Sequence, residues 1–349
     1  MKRSERSHAG TLLISSALAG TAVILMAAAR TFSGFAQWYS VNIYSLISGS
    51  VGRLSGSVHF SVAEVLVIAL PLFIIADLLI CRGRSRSFLA HLLFIASLLF
   101  FLYAANCGVN YYRDPFVDRK ALSEAEFTKE QLIGFCEYVS GQIAECGDAV
   151  EYPQGEELAA SARSSMYRLA EAEPSLKGYY PEPKQIGILS GIFSGMGVSG
   201  IYSPFTVEAN VNGQMPDIEK PFTSCHELSH LRGYMNEGEA NYIGWLACTG
   251  SDDPAFRRDG WLIAWMYAGG TLSRVDPEEY ERIRAELPES ALAEIKENSL
   301  FWAAHENKSS EVQDRVNDSY LKANGQAEGI QSYGMLTTLM LMWYYDQAD

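Results

Sequence analysis

Three long apolar runs within the first 105 residues constrain the fold of this chain more than any other feature. They cover residues 9–29, 60–80 and 88–105, and the first of them, "AGTLLISSALAGTAVILMAAA", contains no charge. A helix of about 20 apolar residues spans the hydrocarbon core of a bilayer. Buried core helices are the alternative, but little amphipathic pattern interrupts these runs. We therefore expect three transmembrane helices in a membrane domain covering residues 1–110.

Basic residues flank these runs unevenly, and this asymmetry predicts their orientation. "MKRSERSH" precedes the first run, and "CRGRSRS" joins the second run to the third. Basic flanks stay on the cytoplasmic side of a membrane. We therefore expect a loop of residues 30–59, and everything after residue 106, to lie outside the cytoplasm. The first run could instead be a signal peptide cut near residues 27–29, which would leave the rest of the chain outside as well.

Charge separates the remainder of the chain from this membrane domain. Eight Lys/Arg and three Asp/Glu precede Asn110, so the remainder contains 19 basic and 38 acidic residues. An acidic surface repels phosphate backbones, so we do not expect the protein to bind nucleic acid. The remainder also contains four cysteines that either form disulfides, in one of three pairings, or stay as buried thiols: Cys136, Cys146, Cys225 and Cys248.

Residues 111–349 are expected to form an α+β domain that is mostly helical. Apolar residues recur at helical spacing in residues 123–146 and 156–172, and again after Pro221. Between them, residues 185–212 are rich in glycine and β-branched residues, which predicts short strands of a small sheet. The final "YGMLTTLMLMWYY" is too short for a membrane span and is expected to be a core helix.

The motif His-Glu-Leu-Ser-His at residues 226–230 is the clearest chemical signal in this domain. On a helix, His226 and His230 lie on one face, one turn apart, where both imidazoles can bind one Zn²⁺. Glu227 projects about 100° away from His226, so we expect it to act as a general base toward water at the metal and not as a ligand. Cys225 also projects away from that face and is not expected to be a ligand.

A third protein ligand is needed, and Glu237 is the best candidate. On an unbroken helix it would lie about 10 Å beyond His230, which is too far for a shared ion. Gly233 can adopt the left-handed conformation that ends a helix, and Asn236 can cap a second helix whose first turn contains Glu237. Glu239 is the alternative ligand.

The segment "EGEAN", residues 237–241, resembles the second motif of the gluzincin metallopeptidases, although its spacer from His230 is shorter than in thermolysin-like enzymes. That resemblance implies that Glu237 is the glutamate ligand. It also implies that Asn241 orients a ligand histidine through the other ring nitrogen.

Segments spread over nearly the whole chain resemble a family of bacterial membrane proteins known as domain of unknown function 3810. They include "GVNYYRDPF", "GIYSPFTVEANVN" and "CHELSHLRGYMNEGEANYIGWLAC". The resemblance implies a multi-pass protein of the bacterial cytoplasmic membrane with a zincin-like, extracytoplasmic C-terminal domain and a zinc peptidase activity.

Together these features predict a membrane-anchored, gluzincin-like zinc metallopeptidase with one Zn²⁺ per chain, acting on peptides or proteins of the cell envelope. Residues 200–212 include a candidate edge strand for substrate. Three residues of the later helices are candidate stabilisers of the transition state: His305, Tyr320 and Tyr333. Two alternatives stay open: a non-catalytic receptor or scaffold with a structural zinc site, and a zinc hydrolase acting on other envelope components.

Overall fold

The computed structural model divides the chain into two units, one of residues 1–114 and 203–208 and the other of residues 115–202 and 209–349. It describes residues 2–147, 150–306, 312–313, 315–316, 318–319, 322, 324 and 333–347, without the side chains of residues 2–8 and 333.

The first unit is helical. Its α-helices are α1 (Lys2–Thr31), α2 (Phe35–Tyr39), α3 (Ser45–Ser55), α4 (Val62–Ile80) and α5 (Ser85–Tyr103). Two π-helical turns, Ser40–Tyr44 and Ala104–Gly108, and a 3-10 turn, Val109–Tyr112, continue these helices. Helix α1 packs along α5.

Within the described residues, three segments are long and apolar enough to cross a membrane: Ala9–Thr31, Val62–Ile80 and Ser85–Tyr112. Their apolar side chains are largely exposed, as in Leu13 and Ile80, which suits contact with lipid. These segments confirm the three predicted apolar helices, whereas their orientation in a membrane stays a prediction.

Two details of the first unit differ from the sequence-based expectation. The expected loop at residues 30–59 is largely helical, because Gly34, in the left-handed conformation, allows α1 to end and a new helix to start. The third apolar helix continues to Tyr112 instead of ending near residue 105. Its extension is held by a hydrogen bond from the Tyr39 hydroxyl to the Ala105 carbonyl, 3.0 Å long.

The start of α4 is capped by a residue far away in sequence. Both carboxylate oxygens of the buried Glu208 accept hydrogen bonds from the first backbone amides of α4, at 3.2 Å from Val62 and 2.8 Å from Ala63. Ser61 accepts a third, from Glu64. A carboxylate at this position satisfies unpaired amides and complements the positive end of the helix dipole.

The second unit combines helices with a small sheet. Its helices are α6 (Arg119–Glu124), α7 (Lys129–Glu145), α8 (Gly155–Ala172), α9 (Ser190–Gly195), α10 (Lys220–Leu231), α11 (Glu237–Thr249), α12 (Pro254–Val275), α13 (Pro277–Arg284), α14 (Glu289–His305) and α15 (Tyr333–Asp346). The strands are β1 (Lys184–Ile186), β2 (Gly200–Ser203) and β3 (Glu208–Asn212), in the order β1-β3-β2; only the terminal residues Ser203 and Glu208 are counted with the first unit. Strand β1 runs parallel to β3, with Lys184 opposite Asn210.

The core of the second unit lies between α7, α8, α10, α11, α12 and α15. Helix α15 contributes Leu336 and Met340, both fully buried, which agrees with its expected role as a core helix. Indole rings meet edge to face at the centre, with 5.0 Å between the ring centroids of Trp245 and Trp343. The mostly helical α+β class with a small sheet is therefore confirmed.

A fully buried guanidinium ties α12 to α14. Arg258 contacts both carboxylate oxygens of Glu294, at 3.1 and 3.2 Å, and donates to the Ser290 hydroxyl and the Gly147 carbonyl. Its side chain has no exposed surface. A buried charge of this kind is stable only while every donor has a partner.

Replacing Glu294 by Ala is therefore expected to destabilise the fold by about 3–5 kcal/mol, because Arg258 would stay charged and buried. Thermal unfolding of the full-length protein in detergent measures this effect. Glu137→Ala is the matched control, because Glu137 pairs with Arg282 at the surface and should change stability by less than about 1 kcal/mol. Equal losses in the two variants would contradict the interpretation.

Candidate metal centre

Helix α10 positions two imidazoles on one face. Its first turn contains Pro221. The buried carboxylate of Asp259 accepts a hydrogen bond from the Phe222 amide, 2.7 Å long, and so holds the start of the helix. His226 and His230 follow one turn apart, with 4.7 Å between ring centroids and 3.1 Å between their Nε2 atoms. The predicted pairing of the two histidines on a helix is thus present.

The chain turns sharply after α10, at Gly233. This glycine has φ +90°, its amide donates to the His230 carbonyl at 2.8 Å, and the Tyr234 amide donates to the Ser229 carbonyl at 3.2 Å. This pair of hydrogen bonds is the Schellman motif that ends a helix at a left-handed glycine. The structure therefore confirms the helix break that the sequence predicted at Gly233.

The same turn orients His230. The Tyr234 carbonyl lies 2.7 Å from His230 Nδ1. Because a carbonyl can only accept, Nδ1 must hold a proton, and Nε2, which faces His226 and Glu237, is the ring nitrogen that binds a cation once its own proton is lost. The tautomer of His230 is thus set for binding a cation through Nε2.

Helix α11 supplies the third donor. The side chain of Asn236 accepts the Glu239 amide at 3.1 Å and caps the helix, as expected. Glu237 is the first helical residue, and its Oε2 lies 3.3 Å from His226 Nε2 and 3.7 Å from His230 Nε2. Two helices joined by a short turn therefore bring two imidazoles and one carboxylate together.

The spacing of these donors fits a single metal ion. Four ligands held tetrahedrally at about 2.0–2.1 Å from Zn²⁺ lie about 3.3 Å from one another. The three donor separations here are 3.1, 3.3 and 3.7 Å. Nitrogen and carboxylate oxygen are donors that zinc accepts. The residues present could therefore hold Zn²⁺ after shifts of a few tenths of an ångström.

The charges within the group favour a bound cation. Burial opposes ionisation of Glu237, but the two imidazoles outweigh it and hold the pKa of this carboxyl well below its usual range. Burial alone would lower the pKa of His230, but the carboxylates of Glu237 and Glu227 raise it to about 9. Glu237 is therefore ionised, and a metal ion would take the place of a proton between the donors.

Glu227 lies beside this group without joining it. Its side chain is buried, and within the described part of the chain its Oε2 has no hydrogen-bond partner. Burial raises the pKa of Glu227 to about 7. A buried carboxyl that gains and loses a proton near neutral pH has the properties of a general base.

Strand β2 passes close to Glu227. A Cβ atom on Gly200, the first residue of β2, would lie 2.6 Å from Glu227 Oε1 and 2.7 Å from Thr223 Cγ2. Only glycine allows the backbone to approach the carboxylate this closely. The sequence showed a glycine-rich stretch here but gave no signal that it would meet Glu227.

Glu239 and Asn241 lie outside the donor group. The carboxylate of Glu239 is buried, with Oε1 3.9 Å from Arg119 Nε, so this alternative ligand does not join the histidines. Asn241 is buried on α11, and the described hydrogen bonds do not link it to a histidine. The sequence predicted that Asn241 would bond to the ring nitrogen of a ligand histidine that does not face the metal. In His230 this nitrogen, Nδ1, bonds to the Tyr234 carbonyl instead, so Asn241 could orient only His226.

The three candidate stabilisers of the transition state have different positions. His305 ends α14 and bonds through Nδ1 to the Phe301 carbonyl at 2.8 Å; no contact among the described residues joins it to the donor group. Tyr320 lies outside the described residues. The side chain of Tyr333 is also outside them, but Met335, two residues further along, packs on Gly238 next to Glu237.

Cys225 is buried, and its thiol is hydrogen bonded to Cys248 rather than joining the donor group. All six cysteines are thiols and not disulfide partners in the structure. Sequence reasoning also missed Asp259, which holds the start of α10 from a distance of 37 residues along the chain. Nothing local in the sequence marks that contact.

Replacing Gly233 by Ala is expected to destabilise the second unit by about 1–2 kcal/mol, because a Cβ atom is strained at positive φ. The same strain should displace the Tyr234 carbonyl and weaken zinc binding. Thermal unfolding and zinc titration measure the two effects. Gly270→Ala, at an open position inside α12, is the matched control: it should leave zinc affinity unchanged and raise stability by up to about 1 kcal/mol, because alanine favours a helix more than glycine does. Unchanged stability and zinc affinity in Gly233→Ala would contradict this account.

The fold and the site together define a mostly helical protein with apolar N-terminal helices and a two-histidine, one-glutamate cluster. A family model described as "Protein of unknown function (DUF3810)" matches residues 39–341, and the chain belongs to that family. No curated protein and no solved structure matches the chain.

Proposed function

We propose that this chain is a membrane-anchored zinc metallopeptidase that hydrolyses peptide bonds outside the cytoplasmic membrane. The observation that supports this most strongly is the triangle of donor atoms from His226, His230 and Glu237 at zinc-like separations. Beside it lies the buried carboxylate of Glu227, with an oxygen that has no partner among the described residues.

Among the described residues, three donors form the cluster, and this number favours a catalytic site over a structural one. Structural zinc sites have four protein ligands, whereas catalytic sites have three and leave a position for water or substrate. The side chain of Glu237 is 31% exposed, so solvent reaches the donors. The scaffold alternative requires a fourth protein ligand.

Zinc bound at this cluster would act as a Lewis acid toward water and the substrate carbonyl. The protein residues provide the proton transfer. Glu227 would take a proton from the attacking water at its unpaired oxygen and deliver it to the nitrogen of the leaving amine. The Tyr234 carbonyl would hold the His230 imidazole in one tautomer throughout.

Strand β2 supports a peptide as the substrate. It lies at an edge of the described sheet, and its first residue, Gly200, lies against Glu227. An extended peptide can add to an exposed strand edge through backbone hydrogen bonds. Pairing along β2 would bring a substrate peptide bond next to the general base. The side chain of Ile201 in β2 is 46% exposed and available to contact such a peptide.

The proposed location rests on the basic residues that flank the apolar helices. Basic flanks favour the cytoplasmic side, so "MKRSERSH" and "CRGRSRS" would lie in the cytoplasm and the cluster outside it. Substrates would then be peptides or proteins of the cell envelope.

Hydrolysis by the full-length protein in detergent tests this function. Incubation with a mixed peptide library, followed by mass spectrometry, should show new peptide ends that take up oxygen from labelled water. A chelator should abolish cleavage, and added Zn²⁺ should restore it. Zinc-loaded protein that cleaves no peptide would contradict the proposal, and the same assay with other envelope components would then separate a different hydrolase from a scaffold.

A further inference from the structure

A second group of metal-binding side chains lies in the first unit, at the turn between α4 and α5. It consists of Asp77, Cys81 and His91. His91 Nδ1 lies 2.9 and 3.0 Å from the two carboxylate oxygens of Asp77, and Cys81 Sγ lies 3.6 Å from Asp77 Oδ1. Cys81 and His91 therefore both contact the carboxylate of Asp77.

The local sequence explains this meeting. Asp77 and Cys81 are four residues apart, so they share a face at the end of α4. Gly83, with φ +79°, allows the chain to reverse, and α5 then returns His91 to the level of Asp77. The side chain of Asp77 is 13% exposed and that of His91 is 45% exposed. The group is thus partly buried, and His91 is its most exposed member.

An ion pair between Asp77 and His91 would explain why these two ionisable residues are present in apolar helices. Ionisable side chains within apolar membrane helices are costly and have partners or functions. The pair alone gives no reason for the buried thiol of Cys81 on the same carboxylate oxygen. A shared metal ion accounts for all three, because thiolate, imidazole and carboxylate are its common ligands.

The donor separations fit this explanation. With Zn–S of about 2.3 Å and Zn–O of about 2.0 Å, a tetrahedral site places sulfur and oxygen about 3.5 Å apart and nitrogen and oxygen about 3.3 Å apart. The corresponding separations here are 3.6 Å and 2.9–3.0 Å. Small movements of His91 would open the space for an ion.

We propose that Asp77, Cys81 and His91 form a second metal site that takes Zn²⁺ or a similar borderline-soft divalent ion. The mixed sulfur, nitrogen and oxygen donors disfavour Mg²⁺ and Ca²⁺, which prefer oxygen alone. Three protein donors and the exposed His91 leave a coordination position for an exchangeable ligand. This site is independent of the proposed peptidase function.

Cobalt substitution tests the second site in the full-length protein. A thiolate ligand gives bound Co²⁺ an intense charge-transfer absorption in the near ultraviolet, and the cluster of His226, His230 and Glu237 contains no sulfur. We expect this absorption in the wild-type protein and its complete loss in Cys81→Ser and Asp77→Asn. Cys107→Ser, which removes another buried thiol of the same unit, and Glu237→Ala should both keep it.

Absence of the absorption from wild-type protein, or its survival in Cys81→Ser, would overturn the second site. Because a variant could lose the absorption by failing to fold, a second measurement uses the wild-type protein alone. Saturating Zn²⁺ should slow alkylation of Cys81 at least about tenfold, as mapped by mass spectrometry, because a coordinated thiolate is shielded. Alkylation of Cys81 at an unchanged rate would also overturn the proposal.

Discussion

Replacing Glu227 by Gln is expected to lower peptide hydrolysis by about 10²–10⁴-fold or more, because the amide cannot accept the proton of the attacking water. Bound zinc should be unchanged, since Glu227 lies outside the group of three donors. Glutamine has nearly the same size as glutamate, so the close packing against Gly200 should be preserved. Initial rates and metal content of the same preparation measure the two effects.

Glu182→Gln provides the matched control for this experiment. Glu182 is a partly exposed glutamate of the second unit that pairs with Arg163 at 2.7 Å. The same chemical change there should leave hydrolysis unaffected. Hydrolysis that persists at the wild-type rate in Glu227→Gln would remove Glu227 from the mechanism, even if zinc is bound.

Replacing Glu237 by Ala is expected to weaken zinc binding by more than about 100-fold, because even residues that only support a ligand contribute 10–100-fold. Two imidazoles would remain, and water cannot replace the charge of the carboxylate. Competition titration with a zinc indicator measures the affinity. Hydrolysis should be lost at zinc concentrations that saturate the wild-type protein.

Glu239→Gln decides between the two glutamates that the sequence offers as ligands. Glu239 lies on the same helix, two residues away, but its carboxylate is directed to Arg119 at 3.9 Å. Its substitution should leave zinc affinity within about threefold of wild type, well short of the 10–100-fold loss seen when a ligand-supporting residue is removed. The reverse result, with zinc lost in Glu239→Gln and kept in Glu237→Ala, would assign the ligand to Glu239.

The local part of the site could be predicted from the sequence because local rules determine it. Helical spacing pairs His226 with His230, and a left-handed glycine followed by a capping asparagine brings Glu237 back to them. Each of these signals lies within 12 residues of chain, and the structure has the glycine and the cap as expected.

The long-range part of the site could not be predicted. Asp259 holds the start of α10, and Gly200 brings β2 against Glu227, yet neither residue has a local pattern that names its partner. Glu208, which caps α4 from 146 residues away, is a similar case. Such contacts depend on how elements pack, which hydrophobic periodicity does not specify.

The same distinction applies to the fold. Apolar length predicted the three membrane-length helices, and glycines between β-branched residues predicted the small sheet. Within that stretch, however, residues 190–195 form the helix α9 and not a strand. The helical segments between α1 and α4 were missed, because serines and glycines within residues 40–56 lower helix propensity and resemble a loop. Packing of Tyr39 and Tyr44 into a small core stabilises these segments in the structure.

Anomalous diffraction at the zinc absorption edge, from crystals of the full-length protein, tests whether His226, His230 and Glu237 hold a catalytic zinc ion. We expect a peak about 2.0–2.1 Å from His226 Nε2, His230 Nε2 and a carboxylate oxygen of Glu237, with no fourth side chain as ligand. A zinc-loaded crystal without a peak between these three residues, or one in which a fourth side chain completes the coordination, would contradict that expectation.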